Sequence, residues 1–391
     1  MKLIKKQIKA SILIRTVLLS WLLIFTLFLP SFAEQINYNT INQSEKFSLI
    51  ESVRFSEPLF FCGNKIFIDR QDVKERLEKE VLLALWDRPQ VILWIKRASK
   101  FFPHMEKIIK EAGLPDDLKY VAVIESGLRP HVSSHKGAVG YWQFLRATGR
   151  MYGLKINYII DERCNLFKST ESACKYLKEL NRQFDDWFLS VAAYNMGASG
   201  IKQQIKVQGT DEFNSLYLSE ETQRYIFKII AAKYIMENQR RFGFVFEEED
   251  YYPTFEFDKV NINSSRQLPI SLIAKAAGVS FKTIKDMNPE LRGNHLAEGK
   301  NSILIPKGLI KHFESRFEDY YAKWQNNQSI SSKNTVPDST GDGKIHRVRP
   351  GENLEIIAKK YNVRLSSLIR WNNLSVRSII YPGDKLIVES N

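Results

Sequence analysis

The sequence has little cysteine, little histidine and a shortage of acid. Three cysteines in 391 residues, Cys62, Cys164 and Cys174, exclude a disulfide scaffold, and the odd number excludes complete pairing. A single bridge between Cys164 and Cys174 stays open, but Cys174 keeps helical register with Ala173, Leu177 and Leu180 and reads equally well as core. His131 and His135 have the spacing of a metal pair, yet they follow Pro130 in a loop-like stretch without a third ligand, so no metal is expected. There is no Gly-rich phosphate loop and no Ser-His-Asp set, and no cofactor is expected. Acids are outnumbered by bases, 44 to 57, giving a formal charge of +13. The first 33 residues hold five of the bases and no acid, so the remainder carries 52 bases against 44 acids, or +8. A basic chain suits an anionic polymer, and charge alone does not say which.

What is present begins with a basic head, Lys2, Lys5, Lys6, Lys9 and Arg15, followed by the apolar run Val17 to Leu29 and the small residues of Ser31-Phe32-Ala33. Residues 1–33 therefore read as a secretory signal directing the chain to the periplasm or cell envelope. The apolar run is shorter than the ~20 residues that span a bilayer; an uncleaved signal anchor, or peripheral membrane association, is the alternative. Residues 34–84 read as an N-terminal extension.

From Asp72 to Met236 apolar residues recur at three and four, as in Val73, Leu77, Val81 and Leu82, or Tyr225, Ile226, Ile229 and Ile230, with no comparable run of alternating strands. Pro103 and Pro115 are placed to open helices, and Gly113, Gly127 and Gly197 to close them. Residues 85–250 are thus expected to form one mainly helical domain. The acidic run Glu247 to Asp250 and Pro253 then mark a boundary. Beyond it the chain repeats itself at an offset of 84: Ile273-Ala274-Lys275 matches Ile357-Ala358-Lys359, and Val279, Ile284 and Asn288 meet Val363, Leu368 and Asn372. Two copies of one small α+β module, 254–307 and 345–390, each with a βααβ pattern, are separated by residues 308–344. That connection reads as an amphipathic helix, Leu309 to Gln325, and a polar linker holding the second module on a loose tether.

Glu125 is the residue with the most to explain. Leu118, Val121 and Ala122 precede it by seven, four and three, which puts its carboxyl on their apolar helical face. Desolvation there, and the negative helix end next to Gly127, both favour the protonated form over the free glutamate value of ~4.3. An acid that keeps its proton near neutral pH can protonate a glycosidic oxygen. Gly137-Ala138-Val139-Gly140 lets backbone approach a ligand, and Trp142-Gln143-Phe144 offers an aromatic wall and an amide for hydroxyl or N-acetyl groups. Ala193-Tyr194-Asn195-Met196-Gly197 ends a helix beginning near Asp186-Trp187 and brings a phenol and an amide to its terminus.

Glu125-Ser126, Gly140-Tyr141-Trp142-Gln143-Phe144, Ala193-Tyr194-Asn195 and Glu221-Thr222 with Tyr225, in that order, resemble the soluble lytic transglycosylase domain of glycoside hydrolase family 23. The resemblance runs from about 85 to 240, and is closest to the membrane-bound lytic murein transglycosylase D type through Gly113 to Leu118, Thr148 to Leu154, Asp161-Glu162-Arg163 and Asp186-Trp187. It implies a lysozyme-like helical fold in which Glu125 acts as general acid and then general base. The C6 hydroxyl of N-acetylmuramic acid would attack its own C1, giving a 1,6-anhydro end without consuming water. That accounts for one acid where a hydrolytic glycosidase needs a second carboxylate. The resemblance puts Ser126, Gln143, Phe144, Tyr194, Asn195, Glu221 and Tyr225 around the substrate. Two departures stand out: Pro130-His131-Val132-Ser133-Ser134-His135 replaces the usual Pro-x-Ala-x-Ser, and Cys164 follows Asp161-Glu162-Arg163.

The repeated modules resemble LysM domains, which bind N-acetylglucosamine-containing glycans. In the second copy Gly351, Glu352, Asn353 and Leu354 before the first helix, and Ile380, Tyr381 and Pro382 before the last strand, would line the sugar groove. The first copy keeps the helix pattern and Asn288-Pro289 but lacks the Pro-Gly-Glu signature, and reads as a degenerate module and spacer. The expected partner is peptidoglycan, whose stem carboxylates fit the basic charge; nucleic acid is not expected. Two alternatives stand beside the lytic transglycosylase: a goose-type lysozyme hydrolysing the same bond, and a non-catalytic peptidoglycan-binding scaffold.

Overall fold

The computed structural model describes residues 48–55, 58–334, 344–349, 351–372, 374–375, 378, 380 and 383–389, without side-chain detail at 328–334. The expected signal 1–33, linker residues 335–343, Pro350, Tyr381 and Pro382 lie outside the described residues.

The helical periodicity is realised in α1 (Gln71–Trp86), α2 (Arg88–Glu111), α3 (Lys119–Ser126), α4 (Arg146–Met151), α5 (Leu166–Phe184), α6 (Trp187–Met196), α7 (Ala198–Gln208) and α8 (Glu220–Glu237). Polar residues fix several starts, because the first N–H groups of a helix lack intrahelical partners. Asp87 accepts from Gln90 N, Asn165 from Lys168 N, Asp186 from Leu189 N and Ser219 from Thr222 N. Helix α8 is the central element: Ile226, Ile229, Ile230, Ala232 and Ile235 are buried, and α1, α3 and α6 pack against it.

Two expectations are corrected here. Pro103 lies inside α2 rather than opening a helix. A proline there costs about 3 kcal/mol, and the helix continues because Ala98, Phe102, Met105 and Ile109 are buried along one face. The boundary expected at 84–85 falls within α1, which packs along α8. The hairpin β1 (Leu59–Phe61) with β2 (Asn64–Ile66) is likewise built in, since Phe61 is buried against Phe188 and Cys62 N–H donates to Asp117 Oδ2 at 2.7 Å. The described part of the extension therefore belongs to the helical domain. All three cysteines are buried and free, and burial pushes the Cys164 and Cys174 thiols up to about 12, and Cys62 upward too.

The first module follows the expected order. Strands β3 (Phe257–Ser264) and β6 (Gly299–Pro306) pair antiparallel, Phe257 opposite Pro306 and Ser264 opposite Gly299. Between them lie β4 (Leu268–Pro269), α9 (Ile270–Ala277), α10 (Phe281–Met287) and β5 (His295–Leu296). The connection departs from expectation: α11 (Ile310–Asn334) lays Phe313, Phe317, Tyr320, Tyr321 and Trp324 on the module's core, and so belongs to the module rather than to a linker. The second module has β7 (Ile345–Arg347), α12 (Leu354–Lys360), α13 (Leu365–Trp371) and β8 (Lys385–Ile387) around Val348, Ile357, Leu368, Leu386 and Val388. The asparagine shared by both copies is structural. Asn288 bonds Ile284 O and both backbone groups of Leu304, and Asn372 bonds Leu368 O and both backbone groups of Ile387.

The described residues from Leu49 onward form one compact unit. The first module meets the helical domain along a short strand-like seam, where Asp161 N donates to Glu290 O, Arg292 N donates to Ile159 O, and Ile160 bridges Leu291. Phe101, His104 and Phe167 close it against Phe255 and Phe257. The second module touches α4 through Arg146 Nη2 and Asp384 Oδ1, 2.9 Å apart.

Candidate active site

Helix α3 ends at Ser126, one residue after Glu125, because Gly127 takes the left-handed conformation, φ 58° and ψ 35°. Arg97 Nη1 donates to the Gly127 carbonyl at 3.0 Å, holding that end in place. Glu125 Oε1 accepts from Tyr225 Oη on α8 at 2.5 Å. Burial raises the Glu125 pKa from 4.5 to about 7; the nearby Glu221 carboxylate pushes the same way and the Tyr225 hydrogen bond opposes. At neutral pH a large fraction of molecules therefore holds the proton.

The loop facing this acid is held from behind. Ser126 Oγ donates towards Tyr141 O at 2.8 Å and Ala122 O at 3.2 Å, and accepts from Arg129 N, tying α3 to the loop. Gln143 adopts φ 48°, unusual for a residue with a side chain. Its Nε2 donates to Val132 O and Gly140 O, so the amide nitrogen closes the loop. Arg163, 1% exposed, pairs with Asp161 and donates from Nη1 to Gly137 O and Phe144 O. At Gly140 an added Cβ would sit 1.9 Å from Arg163 O, so only glycine fits.

The expected aromatic wall is corrected. Trp142 is fully buried, its Nε1 donating to Thr170 Oγ1 at 2.9 Å, and Phe144, 2% exposed, packs on Tyr176 and Tyr194. These rings support the loop from the core side. Tyr194 Oη donates to Trp142 O at 2.7 Å and lies close enough to Glu125 for the carboxylate to raise the phenol's pKa, which burial raises most. Asn195 Oδ1 accepts from Thr222 Oγ1 at 3.1 Å, and Glu221 is exposed in the first turn of α8. The structure thus gathers Glu125, Tyr225, Tyr194 and Glu221, leaves Gln143 and Asn195 partly exposed, and puts Ser126 and Phe144 inside. Arg163 and Arg97 are positioning residues to which the sequence assigns no such role, since only the fold brings Arg163 to the carbonyls of Gly137 and Phe144 and Arg97 to that of Gly127.

In the second module the expected glycan residues have structural duties. The Glu352 carboxylate accepts from Arg349 N, His346 Nε2 and Lys360 Nζ, and is held down to about 2, the Arg349 N–H first among the causes. Asn353 caps α12 by accepting from Ile356 N, Leu354 is core, and Ile380 packs on that core. Gly351 is exposed with φ 84°.

Comparison with known proteins gives the following likenesses. Residues 105–217 match the family described as transglycosylase SLT domain, 256–322 that described as lytic transglycosylase MltD, LysM-like domain, and 346–389 the LysM domain. Two curated relatives, both called membrane-bound lytic murein transglycosylase D, come from Escherichia coli strain K12 and Escherichia coli O6:H1 strain CFT073. Each is 30% identical over 301 residues, covering 75% of this chain and 64% of the relative. The chain thus spans a little under two thirds of the length of these relatives. Among solved structures, the 70 kDa soluble lytic transglycosylase of Escherichia coli is 16% identical with a TM-score of 0.34, over 47% of this chain and 31% of the other. An inactive mutant of the lytic transglycosylase Slt from Pseudomonas aeruginosa is 20% identical with a TM-score of 0.31, over 41% and 27%.

Proposed function

Because the chain carries a transglycosylase SLT domain, an MltD-type LysM-like domain and a LysM domain, we propose that it is a peptidoglycan lytic transglycosylase of the cell envelope. It cleaves the β-1,4 bond between N-acetylmuramic acid and N-acetylglucosamine. The supporting observation is the Glu125 carboxyl, desolvated at a helix end and held by a single phenol. Protonated Glu125 gives its proton to the glycosidic oxygen as the C1–O bond breaks. The resulting carboxylate takes the proton of the muramic C6 hydroxyl as that oxygen bonds to C1, which restores Glu125 and releases an anhydro end. Tyr225 keeps the carboxyl in one orientation through both transfers. In this reading Tyr194 and Gln143 contact the sugar, and Asn195 and Glu221 complete the groove.

The envelope assignment draws on the basic, signal-like N-terminus and on the names of the relatives. Among the described residues no helix is long and apolar enough to cross a membrane. Digestion of purified sacculi followed by mass analysis tests the reaction. Ends lighter by one water than a hydrolysed end are expected; exclusively reducing ends would assign a hydrolase, and no cleavage a scaffold.

A further inference from the structure

We propose that Glu290 of the first module is a positioning residue of the transglycosylase site: the carboxyl it closes into the seam keeps in place the buried pair that shapes the catalytic loop. This deepens the transglycosylase reading and rests on it. A run of contacts leads from the module to the acid. Glu290 O accepts from Asp161 N at 2.8 Å. Asp161 holds Arg163 through both carboxylate oxygens, at 2.9 and 2.7 Å, and Arg163 Nη1 donates to Gly137 O and Phe144 O, each at 3.1 Å. In the same loop Tyr141 O accepts from the Ser126 hydroxyl at 2.8 Å, and Ser126 follows Glu125 directly. The Tyr141 phenol and the Cys164 thiol both lie within electrostatic reach of the Glu290 carboxyl, which therefore backs the loop that Ser126 ties to the catalytic helix. Asp161 falls in the SLT domain match and Glu290 in the LysM-like one, so the arrangement needs both.

The surroundings of this carboxyl suit an uncharged acid. Glu290 is 4% exposed, and its Oε2 has no hydrogen-bond partner among the described residues. Burial raises its pKa from 4.5 to about 7, against its own N–H, Asn165 and Lys285 and with the help of Glu162. Lys285 Nζ is occupied by Leu291 O and Gly293 O, and Arg292 Nη1 donates to Asn157 O at 3.2 Å. Tyr141 and Cys164 stay neutral, both pushed up by burial. The carboxyl edges a cavity of about 640 Å³ between the helical domain and the module's sheet. The other charges around it are Lys155, Lys168, Lys259, Glu298 and Lys300, all exposed and screened by water, and Glu171, paired with Lys168 at 3.2 Å. Ionising Glu290 puts a charge with an unpartnered oxygen into the seam, which is costly. Water entering from the cavity relieves that cost, drawing Glu290 away from Asp161 N and loosening Arg163 and the loop.

Cleavage by the full chain between pH 6 and 8.5 tests this in wild type, Glu290→Ala and Glu290→Gln. Glu290→Ala empties the seam and is expected to lose about tenfold in kcat at pH 6, with KM little changed, the scale of a slightly misplaced catalytic group. Glu290→Gln keeps the shape without the charge and is expected to recover most of that loss. In wild type both Glu125 and Glu290 must hold a proton, so kcat/KM should fall more than tenfold per pH unit at the alkaline end. Glu290→Gln has one such acid left, falls tenfold per unit, and should lead wild type by about tenfold at pH 8.5. Equal alkaline limbs in wild type and Glu290→Gln, or no loss in Glu290→Ala, overturns the proposal; so does a loss in Glu290→Gln that is the same at every pH, which assigns the side chain to packing alone. Absence of anhydro ends at every pH is the failure of the transglycosylase reading instead. Amide hydrogen exchange over residues 133–144 then decides the positioning role. Protection in wild type is expected to fall between pH 6 and 8.5 and to hold in Glu290→Gln, and parallel behaviour of the two overturns it.

Discussion

Glu125 keeps its proton because folding removes its carboxyl from water, and that one displacement links rate to stability. Its pKa rises from 4.5 to about 7 on folding, so as pH climbs the unfolded chain loses the proton first. The stability tied to this group is whole below pH ~4.5 and lost as pH passes ~7, a swing of roughly 3 kcal/mol. Glu125→Gln is expected to abolish cleavage and to flatten that swing, making the variant more stable than wild type at pH 8 but not at pH 4. Urea unfolding at the two pH values checks this, and an identical difference at both would contradict it. Tyr225→Phe removes the hydrogen bond that lowers the Glu125 pKa, so the alkaline limb of the rate profile should move to higher pH while kcat falls. Glu125 was legible in the sequence because spacing alone sets which helical face a residue occupies. The burial of Trp142 and Phe144 was not, since an aromatic residue serves a cleft wall and a core equally well and only Thr170 and Tyr176, from a distant helix, decide between them.

The loop between residues 133 and 144 carries no regular helix or strand, and its shape rests on one buried guanidinium and one glycine. Removing a partner from a buried ion pair leaves an uncompensated charge, typically 3–5 kcal/mol. Arg163→Met is therefore expected to lower stability by about 3 kcal/mol or more and to reduce cleavage far more than binding of glycan. Gly140→Ala meets a backbone oxygen at 1.9 Å and a φ of 89°, and should cost at least as much. Guanidine melts with far-ultraviolet circular dichroism are the check, with helix content retained in both variants. The helices themselves could be read from periodicity and caps. The Asp161–Arg163 pair could not, because charged residues belong to the surface unless the fold supplies partners. Pro103 misled for a related reason: local propensity ends a helix there, and packing of Phe102 and Met105 carries it on.

Taken as a whole, the chain joins its modules more firmly than its polar linker suggests. Arg146 and Asp384, 238 residues apart, meet with side chains 17% and 3% exposed. Asp384→Ala is expected to free the second module from α4, raising the radius of gyration in solution scattering; an unchanged scattering profile would refute the contact. A pairing at that separation leaves no trace in local pattern, whereas the repeat at an offset of 84 made both modules readable. The seam between the helical domain and the first module has a practical side. Cutting the chain near residue 250, where composition invites it, would strip Ile159, Ile160 and Asp161 of their backbone partners and bare the rings of Phe101 and Phe167. An exposed strand edge beside uncovered aromatics is a template for self-association. Such a fragment is expected to sediment as oligomers, while one that keeps α11 stays monomeric; the smallest well-behaved piece of this protein ends about eighty residues later than its composition suggests.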